Sequence, residues 1–276
     1  MISGSALNVT KIGSGMQTLS GSNTYGKTTT VSAGTLVAGS AYAFASGPLD
    51  VAAAGTALLA PSLGTAMKMP ALSIAAGGKL DLSNNQLVTA SPVGSWDGSA
   101  YTAVTGLIQS GRATGNWSGS GIITSRTDAT TSSLTTLGIA TAAQATGIEA
   151  TATTVWAGQT VSGSDTLVMY TYGGDANLDG KINVDDYGRI DFNAPLGTSG
   201  WINGDFNYDG KINVDDYGII DFNVGIQGPP FFTGSGIGDG LNVLVVPEPV
   251  GLGIAWGAAA ILNRRRRARE TTPDVN

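Results

Sequence analysis

Residues 174–193, GDANLDGKINVDDYGRIDFN, recur at 204–223 as GDFNYDGKINVDDYGIIDFN, identical at 17 of 20 positions. Each copy contains a twelve-residue loop of the form D-x-N-x-D-G. In the first, Asp175, Asn177 and Asp179 supply side-chain oxygens at positions 1, 3 and 5. Asn183 reaches inward through water at position 9, and Asp186 closes the shell at position 12. Closely spaced oxygens are the donor set of a hard cation. Gly180 at position 6 permits a sharp turn where a Cβ would be unfavourable. Lys181 at position 7 offers only its backbone carbonyl, which leaves its charge outside. The second loop repeats the set with Asp205, Asn207, Asp209, Gly210, Lys211, Asn213 and Asp216. Three carboxylates crowded into twelve residues repel one another unless a cation sits among them. The expected cofactor is Ca2+ at two sites; the competing reading is a pair of turns that are merely acidic.

Short helices over 184–193 and 214–223 should hold these loops. Asp185 and Asp186 favour a helix N-terminus, Asn193 and Asn223 are expected as C-caps, and Gly188 and Gly218 weaken both helices alone. Ile182 is expected to pair with Ile212 in a short β bridge. Position 12 carries Asp where an EF-hand has Glu. In that feature, and in lacking an entering helix, the 50-residue stretch resembles a dockerin type I module. The resemblance implies a cohesin-like partner, chosen partly by loop positions 10 and 11. Here those are Val184 with Asp185 and Val214 with Asp215, in place of the family's familiar hydroxyl pair. The alternative is a calcium-rigidified spacer.

The rest of the chain has different chemistry. Among 276 residues there is no Cys and no His, which removes thiolate and imidazole metal sites and the Ser-His-Asp triad. A net charge of −6 argues against nucleic acid as a partner. Between residues 12 and 172 there are only 11 charged side chains. Three apolar, alternating segments there (TVSAGTLVA, LDVAAAGTALLA and LSIAAGGKLDL) carry Gly turns near residues 34, 55 and 77, a period of roughly 21–22. Each reads as a strand, a tight Gly turn and another strand. Such units cover their apolar faces by stacking, so a parallel β-solenoid is expected over residues 10–90, with an antiparallel sandwich as the alternative. KIGSGMQTLSGSNTYGKTTTVSAGTLVAGS, residues 11–40, resembles the autotransporter-associated β-strand repeat, which implies a secreted or surface β-helical protein.

Trp96, Trp117 and Trp156 read as core or capping aromatics, with sugar stacking as the sharper reading. Residues 142–152 could form a short helix weakened by Gly147, and 166–172 a last strand. The acids Asp50, Asp81, Asp97, Asp128, Glu149 and Asp165 are isolated in sequence, so no catalytic residue is assigned.

At the C-terminus, Pro247, Glu248 and Pro249 precede an apolar run (250–262) and then Arg264, Arg265, Arg266 and Arg267. This layout resembles a PEP-CTERM sorting signal. It implies processing by an exosortase-type enzyme and transient membrane insertion, since 13 apolar residues make about 20 Å of helix against a core of about 30 Å. A core helix with a solvated basic end is the other reading. The N-terminus lacks a charged segment followed by an apolar one, so a truncated start with further repeats upstream is expected.

The fold class expected is mainly β: solenoid repeats (1–90), a β-rich continuation or cap (91–172), a small α-helical dockerin-like calcium module (173–226), a linker (227–245) and a sorting tail (246–270). The function expected is a non-enzymatic secreted or cell-surface protein for display, adhesion or assembly, with extracellular polysaccharide among its partners. The alternative is a polysaccharide-active enzyme or accessory subunit recruited through cohesin binding.

Overall fold

The computed structural model describes residues 1–231, so the Pro247–Glu248–Pro249 motif and the Arg264, Arg265, Arg266 and Arg267 cluster lie outside the described residues. The alternating apolar segments form a parallel β-solenoid of about four turns. Register runs from Val9 to Thr29, from Thr29 to Leu49 and from Leu49 to Leu72, close to the expected period. Every pairing on this face is parallel, which removes the sandwich for the repeat region. A ladder of Leu36, Ala57, Leu80 and Ile122, each at most 1% exposed, fills the interior between rungs.

The glycines act differently from expectation. Thr29–Ala38 and Leu49–Leu59 are continuous strands that run through Gly34 and Gly55, with a register shift between Val31 and Ala33. Gly34 has φ +67° and stacks on Gly55 in the next rung. A Cβ at Gly55 would lie 2.2 Å from the Val31 carbonyl oxygen. The glycines therefore let backbones approach where a strand bends. Only at Gly77 and Gly78 does the chain break into two strands, Leu72–Ile74 and Lys79–Asp81.

The solenoid's last rung, Gly121–Ile123, lies beyond the repeats and joins Lys79–Asp81 in parallel. A second face is ordered Thr135–Thr141, Thr166–Tyr172, Gln86–Thr89 and Met67–Met69, antiparallel except for the last pair. The expected strand at 166–172 is present, and all seven of its residues are buried. The expected helix is cut to Ala142–Thr146, held by a Thr141–Gln144 capping box and ended by Gly147 at φ +73°. Trp117 and Trp156 are buried, as core aromatics should be. Among the described residues no helix is long and apolar enough to cross a membrane.

Gly55→Val tests the bend. The clash should cost about 1–3 kcal/mol and lower the melting temperature by several degrees; an unchanged melting temperature would refute the close-approach account.

Candidate functional site

The acidic repeats fold as two matching loop–helix units. The helices are Val184–Asn193 and Val214–Val224. Each begins with a capping box in which position 9 is the N-cap and position 12 its partner. Asn183 Oδ1 accepts from the Asp185 N–H at 2.7 Å, and Asp186 Oδ2 accepts from the Asn183 N–H at 2.8 Å. The other oxygen of Asp186 accepts from the N–H groups of Ala176 and Asn177 at 2.8 and 3.2 Å. One carboxylate thus closes the loop and starts the helix. Asp216 does the same with Asn213, Phe206 and Asn207.

Position 1 is held from two directions. Asp175 accepts from the backbone of Asp179 and Gly180 and from the Thr171 hydroxyl on the adjoining strand. Asp205 accepts from Asp209 and Gly210 and from the Tyr101 phenol. Position 6 is Gly in both, at φ +89° and +83°. The side-chain oxygens of Asn177 and Asn207 each receive the N–H of position 5 at 2.9 and 2.8 Å. Asp179 accepts from the amides of Asn177 and Asn183, and Asp209 from that of Asn207. Lys181 and Lys211 are exposed, so both charges point away from the loops.

Asp175, Asp186, Asp205 and Asp216 are each 0% exposed, whereas the ion pair found among the described residues is elsewhere, Lys68–Asp165. Burial pushes Asp175 up to about 8, with the charges of Asp186 and Asp179 adding to it against the Thr171 and Gly180 hydrogen bonds. Asp186 and Asp216 rise to about 6, again chiefly by burial, and Asp205 rises for the same reason. The partly buried Arg112 guanidinium is pulled below its usual pKa by desolvation, against the charges of Asp205, Asp216 and Asp209. In both loops the donor set is entirely oxygen, its position 1 and position 12 carboxylates are buried, and no ion pair among the described residues opposes their charge, which suits a hard divalent cation. Backbone N–H groups stand between the carboxylates. Among the described residues no three acids close into a ready-made metal cluster.

The two units are related by reciprocal contacts. Tyr187 donates to Asp221 and Tyr217 to Asp191, both at 2.7 Å. Gly174 packs on Ile220 and Gly204 on Ile190; both glycines have φ near +115°, where a Cβ would meet those side chains within 3 Å. Two local expectations fail. Ile182 makes no bridge to Ile212, because the Gln227 amide takes both its N–H and its carbonyl, at 2.7 and 2.8 Å. Asn193 and Asn223 are not C-caps. Asn193 bonds back to the Arg189 carbonyl, and the first helix runs on into a 3₁₀ turn ended by Gly197. Asn223 is buried, donating to the carbonyls of Ser133 and Gly173.

Residues outside the motif fasten these loops to the β-sheet. The Trp201 indole donates to the Asp175 carbonyl and fits against Gly138, Tyr208 donates to the Leu137 carbonyl, and Trp96 lies over Gly210. Tyr101, Thr171, Trp201 and Tyr208 carried no sequence signal, since each acts across a long separation or lies outside the duplicated ligand positions. Three of the six isolated acids have their own side-chain partners. Asp81 accepts from Ser83 and Ser125, Asp97 from Ser99 and Ala100, and Asp165 pairs with Lys68. Asp50 lies opposite Ser73 and Asp81 opposite Leu58, so these two do not stack in adjacent rungs.

A family model described as the passenger-associated-transport-repeat matches residues 9–38, about a tenth of the chain. No curated protein and no solved structure matches. The matched stretch forms the first rungs of the solenoid. The repeat and the parallel solenoid are of the kind that points to a surface or secreted, passenger-like protein.

Raised carboxyl pKa values bind protons more tightly in the folded chain than an unfolded Asp, near 3.9, would. Their contribution to stability is complete below about pH 4 and is lost as pH climbs through 6 to 8. In EDTA the melting temperature of the full chain should therefore fall from pH 5 to pH 8; a flat or rising curve would contradict this assignment.

Proposed function

We propose that this chain is a non-enzymatic secreted or cell-surface protein whose solenoid is locked at one end by two Ca2+-binding, dockerin-like loops. The supporting observation is that four buried, unpaired aspartates belong to loops packed into the same hydrophobic cluster as the solenoid, through Trp201, Phe206, Tyr208, Ile190 and Ile220. A cation held by Asp175, Asn177, Asp179, the Lys181 carbonyl and Asp186, and another by Asp205, Asn207, Asp209, the Lys211 carbonyl and Asp216, would supply the missing positive charge. Its binding requires the acids to close inward from their backbone partners. The amide of Asn183 or Asn213, already a helix cap, would act through water.

A second reading is favoured by four exposed residues. Val184, Phe192, Val214 and Phe222 are 79%, 70%, 78% and 63% exposed, at matching positions of the two helices. Large apolar residues exposed at duplicated positions are what a docking surface would use, and a cohesin-like partner is the one the dockerin resemblance supplies. The sorting proposal rests on sequence alone: Pro247–Glu248–Pro249, the apolar run and the arginines would direct exosortase processing after transient membrane insertion. Polysaccharide chemistry would need converging carboxylates, whereas Asp81, Asp97 and Asp165 each have separate structural partners.

Calcium at about 100 times Kd should add about 2.7 kcal/mol per site and raise the melting temperature by roughly 10 °C, reversibly with EDTA. Calorimetric stoichiometry should be two, falling to one in Asp175→Asn and in Asp205→Asn. A melting temperature indifferent to both Ca2+ and EDTA would overturn the proposal.

A further inference from the structure

The second face of the solenoid is interrupted beside one rung. Residues 41–46 run as turns, between rungs that supply the strands Thr24–Tyr25 and Met67–Met69. The gap is a cavity of about 490 Å3. Buried Met69 and the small side chains of Ala41 and Ala45 line its apolar side. Tyr42 is half exposed on the lining. The polar side holds Lys68 and Asp165, paired at 3.6 Å, and Gln159. Each polar group is anchored. Lys68 also donates to the Thr160 carbonyl, Asp165 accepts from the Ser162 N–H at 3.0 Å, and Gln159 Nε2 donates to the Ala66 carbonyl at 2.8 Å. That last bond leaves Gln159 Oε1 available as an acceptor.

We propose that this cavity binds a neutral sugar unit of a saccharide chain. Its volume lies in the range of small-molecule sites. A pyranose ring offers an apolar C–H face and a rim of hydroxyls, and the cavity offers the complement: an aromatic surface on Tyr42, and anchored donors and acceptors on Lys68, Asp165 and Gln159. An apolar ligand would strip water from the Lys68–Asp165 pair without replacing its hydrogen bonds. The pair sums to zero charge, so nothing draws in an ionic ligand, and a uronate would meet the Asp165 carboxylate as a like charge. The exposed aromatic thus comes from a solenoid turn, whereas Trp117 and Trp156 are buried and Trp96 is spent on Gly210.

The test is calorimetric titration of the full chain with β-1,4-linked glucose and xylose hexamers and with a hexauronate. At least one neutral hexamer should bind. Tyr42→Ala should weaken that binding about tenfold, Tyr42→Phe less than about threefold, and the hexauronate should bind at least tenfold more weakly. Circular dichroism checks the fold of each variant, and Gln159→Ala, expected to weaken binding severalfold, replaces Tyr42→Ala if the latter unfolds. The proposal fails if neither neutral hexamer binds at millimolar concentration, if the folded alanine variant binds like the parent, or if the hexauronate binds as tightly.

Discussion

The burial of four aspartates governs how this chain can fold. A carboxylate taken from water costs several kcal/mol unless hydrogen bonds or an opposite charge replace its hydration. Asp186 and Asp216 are met by backbone N–H groups of their own loops, and Asp175 and Asp205 additionally by Thr171 and Tyr101 from the β region. Hydrogen bonds lower the cost without removing it, as the raised pKa of each carboxyl records. A bound divalent cation is the partner that would remove it.

This constraint ties the loops to the solenoid. Strand Thr166–Tyr172 is wholly buried, and the acidic units bond to it through Thr171 and to the neighbouring strand through the Leu137 carbonyl. Repeat architectures expose an unsatisfied face where stacking stops and need a different element to cover it. Here the cover has a pseudo-twofold arrangement of its own. Each loop's leading glycine packs on the other unit's helix, and each helix's tyrosine bonds to the other's aspartate. Val184 and Phe192 of one helix and Val214 and Phe222 of the other stay exposed.

How much of this could be read from the chain depended on sequence distance. Thr29–Ala38 and Leu49–Leu59 were legible because stacking demands a period, and the helix at 184–193 because its capping residues are local. A Gly between apolar runs signals a turn, yet Gly34 and Gly55 sit inside strands because neighbouring rungs approach too closely for a Cβ. The Ile182–Ile212 bridge failed because Gln227, outside the repeat, competes for the same backbone groups. Tyr101 reaches Asp205 across more than a hundred residues, and no local pattern marks such a contact.

The central claim is that cation binding at the loops stabilises the sheet beneath them. Hydrogen exchange on the full chain, in EDTA and then in excess Ca2+, measures this directly. The account predicts that amides of Thr135–Thr141 and Thr166–Tyr172 gain protection together with those of residues 174–224. Protection confined to the loops, or unchanged throughout, would contradict it.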